Sequence, residues 1–278
     1  MDFAVQIAGR TARKLIELAQ TAEELGFAAV YVPDHFANEP PGSGKLDDRA
    51  IMQEAVAMLA GIAASTQRVR IGGHVLCNLF RHPALTAQAM ATIDQISDGR
   101  AVLGIGAGWT RNEFTMTGID FPDIKPRLRR LDEATRIIKS LWTEKRTTFD
   151  GEFYKLSDAF LTAQPVTRPH PPILLGGSGK GLLRIAAREA DIVNIVVDTG
   201  KAGTALPSEI AKLNEDAFRT KIDFVREEAK KHGRTLRLST TVFVPYVAGS
   251  EEEAQKMADG LGSGLGSAEP RRDGCRSR

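Results

Sequence analysis

From Asp98 to Glu113 the chain reads Asp-Gly-Arg-Ala-Val-Leu-Gly-Ile-Gly-Ala-Gly-Trp-Thr-Arg-Asn-Glu, and this stretch limits the fold more than any other. Asp98-Gly99 is a turn signal, and the apolar run Ala101–Ile105 behind it reads as a buried strand. Gly104, Gly106 and Gly108 leave the strand's end bare of side chains, so something flat or bulky can approach the main chain closely. Trp109, Thr110, Arg111, Asn112 and Glu113 then place polar groups just past the carboxyl end of that strand. In α/β proteins ligands bind at that end. The glycine spacing is not the dinucleotide fingerprint, because the third glycine falls at 108, one position early. On the glycines alone, a turn that merely joins strand to helix is the better reading, and the polar cluster shifts it toward a site.

The remaining chain alternates in the same way. Strands are expected at Phe3–Ile7, Ala28–Val32, Val69–Gly73, Ile173–Leu175, Ile192–Val196 and Leu238–Val244. Helices fall between them. One carries Leu15, Leu18, Ala22 and Leu25 and stops at Gly26, a second covers about Ala50 to Ser65, and a third is opened by Pro83. A further helix is opened by Pro126, and the last long one runs from about Ser208 to Lys231. The rhythm breaks once, at Thr147–Lys155, where Asp150-Gly151 between two short β-like pieces signals a hairpin. Seven strands alternating with helices imply a parallel sheet. Polar and glycine residues mark nearly every strand end, which favours a barrel, whose ring of loops shares one site, over a doubly wound sheet.

Bulk properties narrow the function. A chain of 278 residues with 42% apolar content can bury one large barrel core. A net charge of +2, with no basic run interleaved with aromatics, points away from nucleic acid. No apolar run is long enough to span a bilayer, and Met1-Asp2-Phe3 lacks a basic signal segment. Cys77 and Cys275 make no disulfide framework, which suits a reducing cytoplasm, and the five histidines show no metal spacing.

Several blocks, in order, carry a resemblance. They are Ala22–Phe27, Pro33-Asp34-His35, Arg81-His82-Pro83-Ala84, Asp94–Arg100, Leu103–Trp109 with Asn112-Glu113, Gly151–Tyr154, Pro171–Gly177 and Ala187–Asn194. Over about Phe3 to Glu253 the chain resembles the bacterial luciferase-like monooxygenase superfamily, in particular its branch of deazaflavin (coenzyme F420)-dependent oxidoreductases. The resemblance implies a TIM-type (β/α)8 barrel with an insertion. It would form a single domain over residues 1–260, with the insertion at about 144–170.

It also implies a site. Asp34 and His35 match a catalytic pair facing the reactive ring edge, and an imidazole suits proton transfer near neutral pH. On the residues alone, His35 reads as a loop histidine bonded to Asp34. His74 and Val75, in Gly73–Leu76, match the bulge that carries a cis peptide in relatives and backs the ring. Asn112 matches a ring contact. Gly176, Gly177, Ser178 and Gly179 match the loop that takes the cofactor phosphate, to which Lys180 would add charge. Bare amides at a helix start favour an anion, although on its residues this loop is equally a plain helix start. Trp109 and Cys77 are placed in the substrate pocket, Cys77 as a small buried thiol. Trp109 stands where some deazaflavin sugar dehydrogenases carry a carboxylate, which argues against sugar-phosphate oxidation.

The leading expectation is hydride transfer between coenzyme F420 and an organic substrate. FMN-dependent monooxygenation with reduced flavin and O2 is the alternative, with a flavin reductase as partner. A truncated, non-catalytic flavin-binding barrel is a reading of another class. That last reading comes from Gly260–Arg278, which has no apolar alternation and no β-branched residue and cannot offset its ordering entropy. The segment reads as an out-of-frame or truncated ending. It is expected to be disordered after about Leu261 and to leave the barrel without its eighth strand. Open strand edges would then invite association with a second copy, and stability and activity would fall below those of an eight-stranded relative.

Overall fold

The computed structural model describes residues 1–40, 43–196, 214–241, 250–253 and 255–256. Seven strands form one parallel sheet in sequential order: β1 (Ala4–Gln6), β2 (Ala29–Val32), β3 (Arg70–Gly73), β5 (Ala101–Gly106), β8 (Ile173–Gly177), β9 (Ile192–Ile195) and β10 (Arg237–Thr240). An eighth, β4 (Leu76–Cys77), pairs with β5 beyond the end of β3. It is not a closing strand. Among the described residues β10 and β1 do not pair. Across that seam Arg237 Nη2 reaches Asp2 Oδ2 at 2.7 Å. The expected closing strand and the tail lie outside the described residues, as do residues 208–213 of the expected last helix and 242–244 of the expected last strand.

Helices α1 (Ala12–Glu24), α2 (Ala55–Ser65), α3 (Pro83–Ile96), α4 (Arg111–Thr117), α5 (Ile124–Thr143), α6 (Lys180–Glu189) and α7 (Glu215–Lys231) connect the strands. Leu103, Ile105, Ile173, Leu175, Val193 and Ile195 pack outward against them. Val102, Leu174 and Ile192 face inward with Tyr31 and Val75. Burial on both faces is why these strands read as continuous apolar runs.

Several boundaries depart from the sequence reading for local reasons. In α1 the buried stripe is Leu15, Ala19 and Ala22, while Leu25 is exposed at the helix end, where Gly26 takes φ +81°. α2 starts at Ala55 because the Glu54 carboxylate accepts the Ala57 N–H at 2.6 Å. α4 was not expected. The hairpin strands β6 (Thr147–Asp150) and β7 (Lys155–Ala159) are joined by residues 151–154 rather than by a two-residue turn. Glu133 of α5 organises that connection by accepting the N–H groups of Glu152, Phe153 and Tyr154 at 2.8 to 3.2 Å.

The Asp94–Arg100 block builds the floor of the barrel. Asp94 is fully buried and accepts Ala101 N–H at 3.3 Å and both N–H and Oγ1–H of Thr167, at 2.8 and 3.0 Å. Arg100 donates to Ser97 O, Thr66 Oγ1, Val69 O, Ala63 O and Thr66 O, all within 2.9 Å. One guanidinium thereby ties the ends of α2 and α3 to the start of β3.

The glycines of β5 serve a different neighbour from the one the sequence suggested. A Cβ on Gly104 would lie 1.9 Å from Gly73 O, and one on Gly106 would lie 2.7 Å from Val75 Cγ2. The chain's own bulge after β3 fills the space, with Val75 also against Gly176. Gly104→Ala should therefore cost about 3 kcal/mol or more. Gly179→Ala, at the N-cap of α6 where its Cβ would meet nothing within 4 Å, should cost no more than about 1 kcal/mol. Thermal denaturation of the two variants checks the contrast.

Candidate functional site

The carboxyl ends of the strands bring His35, His74, Trp109, Glu113 and the Gly176–Gly179 loop to one end of the sheet. His74–Val75 is a cis peptide bond between non-proline residues, at the predicted bulge. His74 turns into the barrel, half-buried. Its Nδ1 lies 3.0 Å from Gln6 Oε1 and its ring centroid 5.4 Å from that of Tyr31. Burial pulls its imidazole below the ordinary histidine value, opposed by a hydrogen bond with Asn194.

Asp34 and His35 are not bonded to each other, contrary to the loop reading of His35. Asp34 is 5% exposed, and both its oxygens are taken. Arg81 Nη1 and Nη2 reach Oδ2 and Oδ1 at 2.6 and 2.9 Å, and Cys77 N–H donates to Oδ2 at 2.8 Å. Arg81 also pairs with Glu54, and these partners hold its guanidinium firmly protonated against the cost of burial. A carboxylate so engaged positions the loop rather than exchanging protons.

His35 pairs instead with Glu113, which sequence reading quoted only as part of a motif. His35 Nδ1 lies 2.7 Å from Glu113 Oε2, and Oε1 accepts the N–H groups of Phe36 and Ala37 at 2.6 and 3.1 Å. Glu113 is 1% exposed and the His35 side chain 24%. Trp109, half-buried, meets the imidazole edge-on at a centroid distance of 5.4 Å. Among the described residues Nε2 of His35 has no hydrogen-bond partner. The Asn112 amide is turned toward the loop after β2, where Nδ2 donates to Glu39 Oε2 at 2.9 Å and Gly44 O at 3.0 Å.

Cys77, expected to line the pocket, is buried beneath the turn at Gly108, whose Cβ would stand 3.0 Å from Sγ. Burial, reinforced by the nearby Asp34 charge, pushes its thiol up to about 12.

At the other side of the mouth Gly179 precedes α6, and among the described residues no side chain caps its first amides. Ser178 is 8% exposed. Lys221 of α7 reaches Ser178 Oγ at 2.7 Å and Ser178 O at 3.1 Å. This cation lies 43 residues along the chain, and no sequence signal announced it. Lys180, which was expected there, lies 5.7 Å from the Phe224 ring centroid. A hydroxyl, uncapped helix amides and an ammonium group fit a phosphate. A cleft of about 540 Å³ lined by Trp142, Lys145, Gln164 and Arg168 lies on the floor side, away from all these residues.

Residues 3–273 match the family model described as luciferase-like monooxygenase. The chain belongs to the luciferase-like monooxygenase family. It is 38% identical over 223 residues to the F420-dependent glucose-6-phosphate dehydrogenase of Kineococcus radiotolerans, covering 80% of this chain and 60% of that protein. With the enzyme of the same name from Amycolatopsis mediterranei it shares 32% over 267 residues, 90% of this chain and 77% of the relative. The FMNH(2)-dependent dimethylsulfone monooxygenase of Pseudomonas putida is 28% identical over 243 residues, 87% of this chain and 60% of the relative. Among solved structures, an F420-dependent secondary alcohol dehydrogenase in complex with an F420-acetone adduct superposes with a TM-score of 0.69 at 27% identity, over 86% of this chain and 67% of that one. These neighbours share the luciferase-like barrel, here a curled parallel sheet. No helix among the described residues is long and apolar enough to cross a membrane.

A thiol held near 12 is inert. Cys77 in the folded protein should resist a thiol reagent such as iodoacetamide at pH 7.5 and react only on unfolding, as peptide mapping would read.

Proposed function

We propose that the protein is an oxidoreductase that moves hydride between coenzyme F420 and an organic alcohol or its carbonyl product. The observation that carries this reading is His35, held at Nδ1 by Glu113 while Nε2 has no hydrogen-bond partner among the described residues. Relatives at 32 to 38% identity that are named F420-dependent support the cofactor. When bound, the deazaflavin would supply the hydride-accepting or hydride-donating centre. Gly176, Gly177, Ser178, Gly179 and Lys221 would hold its phosphate, and His74-Val75 would back its ring, with Asn112 nearby. Nε2 of His35 would take the hydroxyl proton as the substrate carbon gives up hydride, and would return it in reverse. Asp34 would act only through the loop it anchors, and Trp109 would wall the substrate side.

The substrate stays at the level of its class. The relatives' name points to glucose 6-phosphate, whereas Trp109 in place of a carboxylate speaks against a sugar phosphate. The second reading is an FMN-dependent monooxygenase working with a flavin reductase. It is supported by the Pseudomonas putida relative and by a monooxygenase from Streptomyces bottropensis that superposes with a TM-score of 0.73 at 25% identity, over 95% of this chain and 77% of that one.

Fluorescence titration separates these readings. Coenzyme F420 should bind at micromolar concentration or tighter, and FMN much more weakly. Tight FMN binding without coenzyme F420 binding would establish the second reading, and binding of neither would leave a non-catalytic barrel. Ser178→Asp should weaken cofactor binding at least tenfold without lowering the melting temperature, since a carboxylate repels a phosphate. His35→Ala should lower turnover about 10²- to 10⁴-fold with little change in cofactor affinity. Steady-state assays on glucose 6-phosphate and 2-propanol would measure it.

A further inference from the structure

We infer that Glu113 is the positioning residue for His35, fixing which ring nitrogen carries the proton while holding in place the loop on which that ring stands. The inference rests on the proton-transfer role proposed for His35. A neutral imidazole has one donor and one acceptor nitrogen, and the partner of one decides the state of the other. Glu113 is buried and offers only acceptor oxygens, so Nδ1 must bring the hydrogen to the 2.7 Å contact. Nε2 is thereby left with its lone pair unshared, the state that can take a hydroxyl proton. Asp34 cannot do this, although it adjoins His35 in sequence. Its oxygens are already committed to both Nη groups of Arg81 and to the Cys77 amide.

The second oxygen of Glu113 makes the arrangement a clamp. Oε1 takes the amides of Phe36 and Ala37, the two residues after His35. A single carboxylate therefore fixes both the ring and the backbone that carries it. Glu113 can reach them because α4 begins at Arg111, directly behind the Gly104–Gly108 strand end, and places Glu113 in its first turn. The Trp109 ring, edge-on to the imidazole, limits the other rotamers. When the substrate hydroxyl becomes a carbonyl, its C–H bond would give up hydride to the deazaflavin while its O–H bond breaks and the proton bonds to Nε2. The buried carboxylate faces the imidazolium that results and stabilises it without taking the proton itself.

Glu113→Gln tests this with minimal change of shape. The amide oxygen can still accept from Phe36 and Ala37, while its NH2 now donates toward Nδ1 and forces the hydrogen to Nε2. Nitrogen-15 spectra of the histidine rings, recorded where His35 is neutral, should show the Nδ1–H form in the wild-type protein and the Nε2–H form in the variant. Turnover should fall about 10²-fold on whichever of glucose 6-phosphate and 2-propanol the wild-type enzyme oxidises. KM and coenzyme F420 affinity should stay within about threefold. Glu113→Asp, which keeps the charge, should restore part of the turnover. A wild-type spectrum showing Nε2–H would overturn the inference even if the variant failed to fold. So would a variant that loses turnover with its tautomer unchanged, while the role of His35 stands. A flipped tautomer with full turnover would overturn the role of His35 itself.

Discussion

The mouth of this barrel depends on one steric fact: the backbone after β3 lies directly against the backbone of β5. A Cβ on Gly104 would sit 1.9 Å from the Gly73 carbonyl, so that strand can accept the bulge only where it is bare. Once Val75 is seated over Gly104, Gly106 and Gly176, the chain can run on into β4 and pair Leu76 with Ile105 and Cys77 with Gly106. That pairing points the Cys77 amide at Asp34. Asp34 in turn holds Arg81, and the loop bearing His35 is fixed at its root. The site is thus a chain of consequences that starts with a missing side chain.

Two buried carboxylates at this end of the barrel are fully committed. Asp34 is spent on Arg81, and Glu113 on His35 and two amides. A buried charge is tolerated only when it is paired and hydrogen-bonded in this way. What stays open is therefore informative. On one side of the mouth Nε2 of His35 has no partner among the described residues. On the other, the uncapped amides of α6 stand beside Ser178 and Lys221. On the function proposed above, proton transfer and phosphate binding would fall to separate loops of the mouth.

The alternation of strands and helices was legible because period and punctuation are local properties. The apolar run Ala101–Ile105, the Gly26 stop and the Pro83 start each act within a few residues. β4 was not legible, since two residues have no period. α4 was missed because its start lay hidden inside a motif read for its chemistry. The cis bond at His74-Val75 followed from the family resemblance. The partner of His35 could not be read from the chain, because adjacency in sequence favoured Asp34, and the competing claim of Arg81 comes from 47 residues away. Lys221 was invisible for the same reason. The Asp94–Arg100 block taught the opposite lesson. It entered the reading only as one block of the resemblance, and its polar residues bind the floor, where Asp94 and Arg100 satisfy main-chain groups.

Arg81 links two carboxylates of unlike standing: Asp34, deep in the loop after β2, and Glu54, half in solvent, where it also starts α2. Three segments that are far apart along the chain therefore cannot diversify separately. A loop after β2 transplanted from another barrel would arrive with an acid unsuited to this guanidinium, or with none. A new sequence ahead of α2 would disturb the same cation from the other side. The unit of inheritance at this mouth is the set of all three.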